Sequence, residues 1–107
     1  MNNNKKIIFK KISDLEKNVI YNFFTYKIKY DEKYNKEYAL LFFEMNDDIV
    51  AVKTASEKII NLVKENLENN KKEIINCEIK TFTLDEKNNI IIPYLAVLED
   101  IGGAKNE

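Results

Sequence analysis

The twelve residues Val19-Ile20-Tyr21-Asn22-Phe23-Phe24-Thr25-Tyr26-Lys27-Ile28-Lys29-Tyr30 decide the fold, because they read two ways. β-Branched and aromatic side chains dominate the stretch, and its end, Tyr26 to Tyr30, alternates as a half-exposed strand does. Against this, Leu15, Val19, Phe23, Tyr26 and Tyr30 also fall at helical spacing after Ser13-Asp14-Leu15-Glu16, which has the spacing of a capping box. The strand reading is preferred, since these residue types fit a pleated surface better than a helix. At least one helical turn is then expected at Ser13 to Glu16.

Working outward, Lys6 to Ile12 reads as a short strand. Asp31 to Lys36 is polar and turn-like. Glu37 to Met45 is so apolar that it reads as a strand buried on both faces. Asn46-Asp47-Asp48 is a tight turn into a short strand, Ile49 to Lys53. Thr54 with Glu57 has capping-box spacing and predicts a helix from about Ala55 to Asn69, with Ile59, Ile60, Val63 and Leu67 as its apolar stripe. Glu73 to Leu84 and Ile90 to Leu98 read as paired strands. Pro93, which has no amide proton, marks the second as an edge or bulged strand. The expected class is α+β: an antiparallel sheet of about five strands with one main helix packed on a face, in the order β-β-β-(β)-α-β-β. In strand count and helix placement this order resembles the five-stranded OB barrel, which is the alternative architecture.

Composition limits the chemistry. The 107 residues form a single domain, with ends expected to fray at about 1–5 and from 102, where Gly102-Gly103 closes the ordered part. Fifteen Ile, fifteen Asn and seventeen Lys dominate the chain, while Arg, His and Trp are absent. This bias is that of a low-GC coding sequence, so it is read mainly as background, of the kind found in phage or mobile-element accessory proteins. Lack of His removes imidazole acid–base and ligand chemistry, and lack of Arg removes the bidentate phosphate clamp. Apolar runs do not exceed five residues, so no membrane span and no signal-peptide core is expected. A lone Cys77 cannot close an internal disulfide, which favours a reducing, cytoplasmic setting.

Nine of the twelve Phe and Tyr residues lie between Tyr21 and Phe43. Within that segment Tyr26, Tyr30, Tyr34 and Tyr38 recur every four residues, with Lys27 and Lys29 among the lysines between them. Such residues serve ordinary sheet packing, protein-interface anchoring or base stacking beside a phosphate backbone. Net charge is −1, which argues against nucleic acid, although residues 1–36 are net positive and residues 37–107 net negative. Tyr26, Lys27, Lys29, Tyr30, Tyr34 and Tyr38 are therefore the candidate binding residues. No cofactor and no metal site is expected. Glu78-Ile79-Lys80 has the E-x-K spacing of metal-dependent nuclease strands, a pattern that chance supplies readily in a chain that is 33% charged.

The expected function is a small non-enzymatic protein that binds another protein, such as an inhibitor or an immunity or anti-defence protein covering an enzyme surface. A homodimer through the Pro93 edge is a further option. The alternative is an OB-like single-strand binder using Phe23, Tyr26, Tyr30, Lys27 and Lys29.

Overall fold

The computed structural model describes residues 6–98. Among them the chain forms β1 (Ile7–Lys10), a 3-10 turn (Ile12–Asp14), β2 (Ile20–Phe23), β3 (Thr25–Asp31), β4 (Lys36–Met45), β5 (Asp48–Thr54), α1 (Glu57–Glu68), β6 (Ile75–Asp85) and β7 (Ile90–Val97). The α+β class agrees with the sequence, but seven strands form where about five were expected, in part because Val19 to Tyr30 divides into β2 and β3. The frayed ends expected at 1–5 and from 102 lie outside the described residues.

Two sheets form where one was expected. One has the strand order β1-β5-β4-β3 and the other β2-β6-β7. Residues Val19 to Tyr30 are extended, so the helical reading fails, but the strand breaks at Phe24 and each half joins a different sheet. Tyr21 and Phe23 lie opposite Cys77 and Ile75, while Tyr26 and Ile28 lie opposite Leu41 and Ala39. The amide of Phe24 itself donates to the carbonyl of Phe42 at 3.0 Å, which fixes the bend. The sheets do not close into a barrel. β1 takes the edge of β5 in parallel, a correction to the all-antiparallel expectation, and β7 ends its own sheet.

One core lies between three layers. Tyr26, Leu41, Phe43, Val50 and Val52 come from the four-stranded sheet, Ile59, Ile60 and Val63 from α1, and Phe23, Ile75, Cys77 and Leu95 from the three-stranded sheet. Each large side chain fully buried here contributes roughly 1.5–3 kcal/mol through removal from water.

Local chemistry differs from the sequence reading at both helical starts. Ser56, not Thr54, caps α1: its Oγ accepts from the amide of Ile59 at 3.4 Å. Thr54 instead ends β5, where its buried hydroxyl accepts from the amide of Ser56 at 3.2 Å. The first turn is a 3-10 turn beginning one residue before Ser13, with the carboxylate of Asp14 accepting from the amide of Lys11 at 3.1 Å. The stripe of α1 also shifts, because Leu67 is half exposed and Asn66 is buried. Asn66 is held there by its amide, which donates to the hydroxyl of Tyr26 at 3.0 Å.

Asparagine carries structural weight that composition alone conceals. Asn18, Asn35, Asn46, Asp47, Asn70 and Asn89 all have positive φ. The chain's two glycines stand at 102 and 103, so Asn and Asp supply the left-handed residues its turns require.

β2 stops pairing with β6 at Glu78, and beyond it β6 and β7 continue as a two-stranded ribbon. The radius of gyration is 15.4 Å, against about 13 Å for a compact chain of this length. The amide of Leu98 donates to the carbonyl of Asn76, so antiparallel alternation turns the backbone of residue 93 away from β6. Pro93 thus presents its missing donor to the free edge, as expected.

Candidate functional site

β4 explains where a site can form. Its core-facing residues Ala39, Leu41 and Phe43 alternate with Tyr38, Leu40 and Phe42, so it is apolar on both faces. Only one face meets the core. Phe42 and Ala51 are 8% and 1% exposed yet do not belong to the core cluster. They lie on the opposite face of the sheet, buried there apart from the core cluster.

The registers arrange that open face in rows, because cross-strand partners share a side. At one end Lys29 stands beside Tyr38. Next come Lys27, Leu40 and Lys53, then Thr25, Phe42, Ala51 and Phe9, and last Glu44, Ile49 and Ile7. Successive rows are about 6.6 Å apart, so the face is about 20 Å long and about 15 Å wide. It is basic at one end and apolar at the other, where Phe9 is 70% and Ile7 55% exposed. The basic end includes a shallow hollow of about 250 Å³ lined by Asp31, Tyr34, Tyr38 and Lys53. There the Lys53 Nζ sits 4.3 Å from the centre of the Tyr38 ring and 3.5 Å from the Asp31 carboxylate.

The structure divides the predicted tyrosine cluster. Tyr26 is buried, and its hydroxyl donates to the carbonyl of Glu73 at 2.7 Å. Tyr30 is exposed, on the side of β3 that Tyr26 shares. Tyr34 lies in the β3–β4 turn with the Lys33 Nζ 5.4 Å from its ring centre. Tyr38 is half buried on the open face together with Lys27 and Lys29. The four-residue spacing fails to align the tyrosines because Tyr26 pairs with Leu41, so the even residues of β3 share a side with the odd residues of β4. Ile7, Phe9, Leu40, Phe42 and Ile49 were not singled out in the sequence. The signal that could have found them was the two-faced apolar pattern of Glu37 to Met45.

Other features contribute less. Glu78 and Lys80 share a face of β6, 3.9 Å apart, but the neighbours of Glu78 are Ile20 and Ala96, neither a carboxylate. Asp47 sits in the β4–β5 turn and Asp48 begins β5, both in the other sheet. No group of three or more Cys, Asp or Glu among the described residues is placed to hold a metal ion. Cys77 is fully buried, and burial pushes its thiol up to about 12. A groove of about 1230 Å³ between α1 and the β2–β6 end mixes Asn22, Asn61 and Asn76 with Lys58, Glu65 and Glu73 and gathers no like charge. No described helix is long and apolar enough to cross a membrane.

Comparison with protein-family models, curated proteins and solved structures yields no significant match.

Proposed function

We propose that this chain is a non-enzymatic binding protein whose open sheet face covers a surface of another protein, in the manner of an inhibitor or immunity protein. One observation carries the reading: the face of β4 turned away from the core is apolar, and on that same face Phe9 and Ile7 are 70% and 55% exposed. Apolar patches of this kind mark interaction surfaces. The candidate residues become Phe9, Ile7, Tyr38, Lys27, Lys29 and Lys53.

The OB-like single-strand reading keeps one supporting observation, the lysine-rich end beside Tyr38. Against it, Phe23 and Tyr26 are buried and cannot stack on bases, and Lys53 already covers the Tyr38 ring.

The test is affinity purification of the tagged full-length protein from its native host. The wild type is expected to recover a stoichiometric partner that Phe9→Asp loses and Leu84→Asp, on the distant ribbon, keeps. Recovery of no partner by a monomeric wild type, or equal recovery by Phe9→Asp, would overturn the proposal.

A further inference from the structure

We infer that the segment seated on this face is an amphipathic α-helix of about 14 residues, acidic toward one end. The inference rests on the reading of the open face as a protein-binding surface and adds the chemistry of the partner.

Size is the first argument. A face about 20 Å by 15 Å is well short of the roughly 800 Å² per partner that two globular proteins usually bury. It matches one helix about 10 Å across and about 14 residues long.

Backbone chemistry is the second. The apolar rows present exposed Phe9 and Ile7 and half-buried Ile49 beside buried Phe42 and Ala51, and none of these side chains offers a hydrogen bond. An extended segment laid across them would bury peptide groups without partners, whereas a helix brings its backbone already satisfied. α1 shows the same solution on the other side of the sheet, where Ile59 and Val63 join one core cluster with Leu41 and Val52.

Charge sets the chemistry and direction. Lys27, Lys29 and Lys53 occupy two adjacent rows, and the Asp31 carboxylate approaches only Lys53 among these three in a described ion pair. Carboxylates on the last turns of the docked helix would meet them. So would the helix C-terminus itself, which carries partial negative charge. The apolar stripe would then run past half-buried Leu40 and over Phe9 toward Ile7. A second copy of this chain is a poorer occupant. Stacked face to face about a two-fold axis, three lysines would meet either three lysines or a row whose single carboxylate is Glu44.

The experiment uses the full chain and three fluorescein-labelled synthetic peptides of about 14 residues in a fluorescence anisotropy titration. All carry the same Leu/Ala stripe. The first has Glu in its last two turns, the second has Lys there, and the third is the Glu peptide with a central Pro. The Glu peptide is expected to bind about tenfold tighter than either other peptide, with the preference shrinking at high salt. Lys27→Glu with Lys29→Glu should reverse the preference, and Phe9→Asp should weaken all three peptides. Circular dichroism confirms that these exposed-site variants are folded. Equal binding of the Glu and Lys peptides, or of the intact and Pro-broken peptides, overturns the inference. So does tighter binding of labelled oligo-dT, which would assign the face to nucleic acid. If Phe9→Asp also loses the native partner while the peptides are not discriminated, the protein-binding surface stands and only the acidic helix falls. If Phe9→Asp keeps the native partner, both fall.

Discussion

Tyr26→Phe removes one oxygen atom from the point where α1 and the two sheets meet, and its cost can be worked from the contacts. The hydroxyl donates to the carbonyl of Glu73 at 2.7 Å and accepts from the Asn66 amide at 3.0 Å. Tyr26 is 6% and Asn66 3% exposed, so water cannot readily replace the second bond. Each hydrogen bond contributes about 1 kcal/mol net, and a buried donor left without a partner costs about 1–3 kcal/mol. Glu73 is an exposed residue, so its carbonyl can be rehydrated and counts toward the low end. The expected loss is about 2 kcal/mol, or about 10 °C in Tm for a domain of this size. Urea denaturation followed by far-UV circular dichroism measures it, with Asn66→Ala and the double variant completing a cycle. Because both single changes break the same bond, the double variant should fall short of their sum by about 1 kcal/mol. A Tyr26→Phe loss below about 0.5 kcal/mol, or strict additivity, would refute the claim that this pair ties the helix to the sheet.

Two further outcomes follow from burial. Cys77 should resist a thiol reagent in the native protein and react on unfolding, because its thiol is pushed up from 9.0 to about 12. Above pH 9 the unfolded chain loses this proton while the native state keeps it, so stability should fall as pH rises toward 12, by at most about 1.4 kcal/mol per pH unit. Denaturant titrations of wild type and Cys77→Ala across that window isolate the slope, and identical slopes would contradict it. On the β6–β7 ribbon, amides of Phe82 and Ile92 should exchange with deuterium far faster than those of Leu41 and Val52. The former pair lies where the hairpin is two-stranded, and the latter pair lies in the core. Equal protection would mean that something shields the ribbon.

The sequence made the elements legible because their cues are local. Residues Val19 to Tyr30 are extended as their β-branched and aromatic content implies, and Pro93 stands at an edge. The break at Phe24 was not legible, since it depends on β6, whose pairing residues lie more than fifty positions away. The helix cap moved from Thr54 to Ser56 because Thr54 was claimed by the end of β5. For the candidate site, Lys27, Lys29 and Tyr38 were found as a group, but the apolar half was hidden. Phe9 comes from a four-residue strand whose parallel partner is β5, and no periodicity inside Lys6 to Ile12 announces that register.

The bend at Phe24 also orders events in time. The β3–β4–β5 meander is complete within residues 25–54, with every pairing local, and such contacts close early because their loops are short. The three-stranded sheet must wait for β6 and then β7. Because β2 and β3 are separated by Phe24 alone, the first-formed sheet already holds the strand on which the second is built. The entropy of bringing residue 21 to residue 77 is thereby partly met in advance, and the last third of the chain assembles on a strand already in place.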